Sequence, residues 1–179
     1  MLLLQFTGLS GAGKTTIANQ VRQRLIELKY KVEILDGDEY RKTLCADLGF
    51  SREDRRENNR RLGILGMLLV RNDILTIIST INPYEADRQE LRKSSDKVFT
   101  IWIRCGMDTL MLRDTKGLYR RAMNPGHHPE FIDNLSGVND PYEVPVEVDL
   151  FIDTDNESIG ESTQKLLDFA IAKLAAIKK

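Results

Sequence analysis

The sequence predicts a three-layer α/β/α fold: a mostly parallel five-stranded sheet with helices on both faces, and a lid. Three observations predict it. Short runs that are apolar throughout alternate with helical stretches, the pattern of strands buried on both faces of a parallel sheet. A glycine-rich turn ending in a lysine joins the first run to the first helix. One long irregular stretch breaks the alternation before the last strand, where a lid can close over the strand ends.

In order along the chain, Leu2–Thr7 is a buried strand and Lys14 to about Leu28 the helix that follows. Lys31–Leu35 is the second strand, and Glu39–Leu48 and Arg52–Val70 are helices. Asp73–Ser79 is the third strand, through Ile74, Leu75, Ile77 and Ile78, and Glu85–Lys93 the next helix. Val98–Ile103 is the fourth strand, with a short helix after Gly106. The irregular stretch runs from Asp114 to Pro145 and holds four of the five prolines and both histidines, which marks it as the lid. Leu150–Ile152 is the fifth strand. The last helix starts at about Ser158, with Leu166, Leu167, Phe169, Ala170, Leu174 and Ile177 as its apolar face.

A length of 179 residues suits a single domain, 1–179. The 26 Lys+Arg against 27 Asp+Glu leave no basic excess for coating nucleic acid, so none is expected as a partner. No apolar run approaches the roughly 20 residues that span a bilayer, and Met1–Leu4 is too short for a signal-peptide core. Cys45 and Cys105 make no disulfide framework; both read as small buried hydrophobes, and a cytoplasmic location is expected. The near-neutral sum hides an uneven layout. Between Arg41 and Arg61 there are seven basic and four acidic residues, a patch expected to face an anion, whereas from Asp140 onward nine acidic residues stand against four basic.

The sharpest motif is Gly8-Leu9-Ser10-Gly11-Ala12-Gly13-Lys14-Thr15, which fits G-x-x-x-x-G-K-[ST]. Its glycines let successive N–H groups turn toward phosphate oxygens, and the helix behind adds its positive end. Lys14 is expected at the terminal phosphates and the Thr15 hydroxyl on Mg²⁺. A chance match in a chain this long is on the order of one in a hundred, and the required strand and helix flank it. The motif makes this a nucleoside triphosphate site. No N-K-x-D guanine motif is present, and a small chain with a lid favours a small-molecule kinase.

The second strand leads into Asp36-Gly37-Asp38, at the sheet end where open α/β folds bind ligands. One carboxylate there can take a proton from a substrate hydroxyl or hold Mg²⁺ through water. Asp36 reads equally as the N-cap of the next helix. Arg41, three residues after Asp38, lies on the same side. Ser51 is an N-cap with Asp54 as its partner, and Arg55 and Asn58 share a helix face. The charged run from Arg52 to Arg61 reads either as a solvated face laced with ion pairs or as a basic patch for an anionic substrate.

These residues resemble the adenylylsulfate (APS) kinase family. The matching segments are Phe6-Thr7-Gly8 through Thr16, Asp36-Gly-Asp38 with Arg41, and Phe50-Ser51 with Asp54-Arg55, Glu57-Asn58 and Arg60-Arg61. Further on stand Pro83-Tyr84 with Arg88, Arg113-Asp114 with Lys116-Gly-Leu-Tyr119, and Asp140-Pro-Tyr-Glu143 with Pro145. The resemblance covers nearly the whole chain. It implies transfer of the ATP γ-phosphoryl group to the 3′-hydroxyl of adenosine 5′-phosphosulfate, with Mg²⁺, in a homodimer. Asp38 is then the catalytic carboxylate, and Thr16 and Arg113 join the phosphate loop in binding ATP. Arg41, Arg55 and Asn58 hold the phosphosulfate end, Phe50 stacks on the acceptor adenine, and Ile81 and Asn82 approach it through their backbone. Lys116 approaches the phosphates from the lid.

Three departures bear on the acceptor. Asn82 stands where the family usually has serine, so no phosphoserine can form there and direct in-line transfer is expected. The lid is longer than the family's, and Leu135 falls where a phenylalanine completes an aromatic sandwich, a loss of about 1–3 kcal/mol of stacking; Phe131 is the candidate replacement. Thr115 replaces a proline, which loosens the lid hinge. The altered lid keeps open a kinase acting on another nucleotide, such as cytidine diphosphoramidate. An inactive nucleotide-binding regulator is the third reading, opposed by intact Lys14, Thr15, Asp38 and Arg41. His127-His128 lacks the further ligands of a zinc site and is expected in an exposed loop.

Overall fold

The computed structural model describes residues 1–123 and 130–177. Its elements run β1 (Leu3–Thr7), α1 (Lys14–Glu27), β2 (Val32–Asp36), α2 (Gly37–Tyr40), α3 (Arg52–Arg71) and β3 (Leu75–Ser79). They continue with α4 (Glu85–Lys93), β4 (Val98–Arg104), α5 (Met107–Arg113), α6 (Leu118–Met123), β5 (Leu150–Asp153) and α7 (Ile159–Ile177). The strands form one sheet in the order β2-β3-β1-β4-β5, every neighbouring pair parallel. This is the three-layer α/β/α arrangement expected. Among the described residues no helix is long and apolar enough to cross a membrane.

β1 is buried at every position, as a central parallel strand must be, and alternation sends its side chains to two cores. Leu4 and Phe6 pack with Ile17, Val21 and Leu25 of α1 and with Leu166, Ala170 and Leu174 of α7. Leu3 joins Leu62 and Val70 of α3 and Ile78 of β3 on the other face. Gln5 and Thr7 share that second side, fully buried although polar. The chain leaves β1 toward β2 and returns through β3, then crosses to β4 and β5. The crevice beyond the carboxyl ends of β1 and β3 is therefore a switch point, the usual ligand position in open α/β sheets.

Two expectations need correction. The helix read over Glu39–Leu48 is instead α2, starting at Gly37 because Asp36 caps it: Asp36 Oδ1 accepts from the Asp38 N–H at 2.9 Å. After Arg41 the chain continues as tight turns, Ala46 N–H bonding Thr43 O and Leu48 N–H bonding Cys45 O. That segment buries only Cys45 fully, too little apolar surface to support a helical face. The stretch Asp114–Pro145, read as irregular throughout, contains α6. Asp114 organises its start, accepting from the N–H groups of Tyr119 (3.0 Å) and Arg120 (3.2 Å), while Tyr119 and Ala122 bury its inner face.

Candidate active site

The phosphate loop follows from β1 and α1. Gly8 sits so close to β4 that a Cβ would meet Ile103 O at 2.2 Å, and only glycine fits. Gly13 caps α1 at φ 95° with no side-chain bond, which leaves the first N–H groups of the helix turned to the cavity mouth. Lys14 folds back over the loop, donating from Nζ to Gly8 O at 2.9 Å and Leu9 O at 2.7 Å. Burial pushes its pKa down to about 8, helped by the Lys116 charge and opposed by Asp38 and Asp36. The Thr15 hydroxyl donates to Asp36 Oδ2 at 2.8 Å and lies 3.5 Å from the Ser79 hydroxyl.

These groups border a cavity of about 890 Å³ at the switch point. Of the residues expected there, Ser10, Gly11, Gly13, Lys14, Thr15, Thr16, Asp36, Asp38, Arg41, Phe50, Arg55, Asn58, Ile81, Asn82, Arg113, Lys116 and Leu135 all line it. Gly8, Leu9 and Ala12 do not. They shape the loop from behind, their carbonyls holding Lys14 and, for Ala12, the Thr154 hydroxyl at 3.2 Å. Asp36 is the N-cap of α2 through one carboxylate oxygen, and its other oxygen accepts from the Thr15 hydroxyl.

Asp38 reaches into the cavity and pairs with Lys116 from the base of the lid. Burial raises its carboxyl pKa, but the Lys116 hydrogen bond and charge, with Lys14 and Arg41, outweigh burial and hold it below the usual range. Two guanidinium groups stand near the Phe50 ring, Arg41 at 4.5 Å and Arg55 at 5.6 Å from its centre. Burial and the neighbouring Arg55 lower the Arg41 pKa, as expected of two cations sharing one wall. Arg55 is more than an anion ligand. Its guanidinium bonds Phe50 O at 3.0 Å and Asn134 O at 2.5 Å and lies 3.7 Å from Asp140, clasping the returning lid to α3. Asn58, buried on the same helix face, has its Oδ1 without a hydrogen-bond partner among the described residues.

The basic patch is smaller than its composition suggested. Lys42 pairs with Glu39, Arg56 with Asp87, Arg60 with Glu57, and Arg61 with Asp47 and Glu57. Of the basic residues in that run only Arg41, before α3, and Arg55, within it, line the cavity, and the paired residues make up the solvated face. Leu135 is buried in the wall, whereas Phe131 is 41% exposed and Ile132 takes the wall position beside it. Phe50 is thus the only aromatic among the described wall residues. His127-His128 falls outside the described residues.

Thr154 and Glu157 from the turn between β5 and α7, and Ile159 and Ser162 from the start of α7, also line the cavity, as do Asn59 and Asn134. The first four follow the carboxyl end of a parallel strand, and that position alone could have found them. The lid helix closes this side, Tyr119 donating its hydroxyl to Ser10 O at 2.7 Å.

The adenylylsulphate kinase family model matches residues 1–153. An adenylyl-sulfate kinase of Halothermothrix orenii is 44% identical over 164 residues, covering 92% of this chain and 86% of that protein. The Mycobacterium tuberculosis APS kinase, solved with AMPPNP and APS, superposes with a TM-score of 0.85 at 34% identity, over 94% of this chain and 96% of that one. A hexameric APS kinase from Thiobacillus denitrificans superposes at 0.70 with 30% identity, over 96% of this chain but 29% of that one. With the phosphate loop and the Asp38 carboxylate on one cavity, these matches mean that the chain belongs to the adenylylsulfate kinase family.

Proposed function

We propose that this protein transfers the γ-phosphoryl group of ATP to the 3′-hydroxyl of adenosine 5′-phosphosulfate, giving 3′-phosphoadenosine 5′-phosphosulfate and ADP. The observation that carries this is one cavity holding a phosphate loop with Lys14 on one side and Asp38, Arg41, Phe50 and Arg55 on the other. Family relatives named adenylyl-sulfate kinase support the acceptor.

In this reading Lys14 and the opening N–H groups of α1 hold the β- and γ-phosphates, and Arg113 and Thr16 complete the donor site. Asp38, ionised at neutral pH, accepts the hydrogen bond of the 3′-hydroxyl and aims its oxygen at phosphorus. The new O–P bond forms as the bond to the β-phosphate oxygen breaks, the hydroxyl proton passes to Asp38, and ADP leaves. A weakly basic carboxylate suffices because phosphoryl transfer depends on positioning and charge neutralisation. Bound phosphates draw Lys116 away from Asp38 and so free the carboxylate. Arg41, Arg55 and Asn58 hold the phosphosulfate, and Phe50 stacks on the acceptor base against Leu135.

The Thr15 hydroxyl, Asp36 and the Ser79 hydroxyl form a cluster of hard oxygen donors of the kind Mg²⁺ takes, with room for phosphate and water. Thr15 and Asp36 would hold the ion, which neutralises charge on the β- and γ-phosphates. We further assign the chain to one kinase domain with its lid at about 114–145, supported by one sheet with a core on each face. A cytoplasmic homodimer is the expected state, supported by two free cysteines and family habit; gel filtration with light scattering separates a dimer from a hexamer.

The test is ADP release with APS and with pyrimidine nucleotides, cytidine diphosphoramidate included. Turnover with APS at least a hundredfold above the others is expected. Negligible turnover with APS but turnover with a cytidine nucleotide would reassign the acceptor, an outcome the single aromatic wall of the site keeps in play. ATP binding without transfer to any acceptor would make the protein a regulator.

A further inference from the structure

The loop that brings Ile81–Pro83 to the acceptor wall is held by a chain of amides, half-buried at Asn59 and buried at Asn82 and Gln5, that the transfer chemistry does not use. Asn59 of α3 donates from Nδ2 to Asn82 Oδ1 at 3.1 Å. Asn82 donates from Nδ2 to Gln5 Oε1 at 3.2 Å. Gln5, at the centre of β1, donates from Nε2 to Arg88 O and to the Thr100 hydroxyl, both at 2.9 Å. The chain thus runs from the cavity wall through the loop to β1, α4 and β4. Gln5 is fully buried and Asn82 is 4% exposed, so a broken link leaves an amide group with no water to turn to.

Asn82 is also the point where the backbone turns. Its φ is 44°, in the left-handed region that asparagine tolerates better than most residues with a Cβ. Its carbonyl accepts from the Thr7 hydroxyl at 3.0 Å and from Arg88 Nη1 at 2.6 Å. Arg88, 1% exposed, also reaches Glu143 O, so the same hub ties the end of the lid to this loop. Both ends of its side-chain amide are engaged within the protein, at Asn59 and at Gln5, which fixes the residue's orientation at the cavity wall. A serine in this place has one short hydroxyl and cannot bridge Asn59 and Gln5 as the amide does.

We infer that Asn59, Asn82 and Gln5 form a positioning relay that sets the Ile81–Pro83 backbone for the acceptor nucleotide. This rests on the kinase reading above. None of the three side chains touches the reacting atoms; they act through the loop. The relay is uncharged, so its effect is the same across the neutral pH range.

Steady-state kinetics with ATP and APS test it, on Asn59→Leu, Asn82→Gly and the double variant. Asn82→Gly preserves the left-handed backbone and removes both side-chain bonds. Asn59→Leu removes one bond from a partly exposed helix position, so it decides the matter if Asn82→Gly does not fold. The expected result is a KM for APS raised at least fivefold in each variant, with the KM for ATP within twofold of the parent. The double variant should match Asn82→Gly alone, because Asn59 acts through Asn82. A purely structural role would lower Tm without this split between the two substrates. Unchanged KM for APS in folded variants, or equal rises for both substrates, overturns the relay. If the parent itself does not turn over APS, the acceptor assignment has failed; the same split is then read on the acceptor that the panel identifies.

Discussion

On the donor side of the cavity, nine consecutive residues, Gly8–Thr16, build the phosphate site from main-chain geometry and one folded-back lysine. On the acceptor side, Asp38, Phe50 with Arg55, Asn82 and Leu135 come from four separate segments. What keeps those segments together is side-chain bonding: Arg55 to the lid, Lys116 to Asp38, and the amides around Asn82. A contiguous loop tolerates drift elsewhere in the chain. A site assembled across distant segments responds to any one clasp, so substitutions on the two sides should separate ATP parameters from acceptor parameters.

The largest effect expected is on the chemistry that joins the two sides. Asp38→Asn should lower kcat by about 10²–10⁴-fold and leave the Kd for ATP, measured by calorimetry, within about twofold. An unchanged kcat would remove Asp38 from the mechanism and confine catalysis to the donor side.

The pH dependence probes the donor side alone. Lys14 has its pKa lowered to about 8 in the ligand-free protein, so above that pH it loses the proton and charge that attract phosphate. The kcat/KM for ATP, which reports the free enzyme, should therefore fall as pH rises through about 8. In Lys14→Arg, whose side chain stays charged, that descending limb should vanish. A flat parent profile between pH 7 and 9 would show that Lys14 keeps its proton.

Leu135→Phe addresses the acceptor side. A second aromatic face should lower the KM for APS by about fivefold, near 1 kcal/mol, the low end for stacking because the buried position must also accommodate the larger ring. An unchanged KM means that the ring does not reach the acceptor base. The smallest effect belongs to the bond between the two sides: Tyr119→Phe frees Ser10 O and should cost about 0.5–1.5 kcal/mol. That corresponds to a drop in Tm of roughly 1–6 °C by calorimetry. A larger loss would make the lid helix a structural part of the phosphate loop.

How much was legible beforehand follows the same division. The motif Gly8–Thr15 and the flanking β1 and α1 were read within about a residue, because apolar periodicity and a glycine pattern are local signals. Glu85–Lys93 was read at its actual bounds. The start of α2 was misplaced because Asp36 caps it two residues upstream of the apparent start, and α6 was missed because Asp114 organises it through a bend. The side that Arg41 shares with Asp38 was legible from their spacing and the place of Arg55 in the wall from the family resemblance, while the outward pairing of Arg56, Arg60 and Arg61 depends on the tertiary fold.

By itself the sequence determined a parallel α/β sheet, a phosphate loop at the end of its first strand and a kinase family, since each rests on residues close together in the chain. Tertiary structure alone decided that Arg55 clasps the lid, that Leu135 rather than Phe131 faces the cavity, and that Asn82 is locked between Gln5 and Asn59. Those partners lie 23 to 79 residues apart, and no local periodicity records which distant groups share a hydrogen bond.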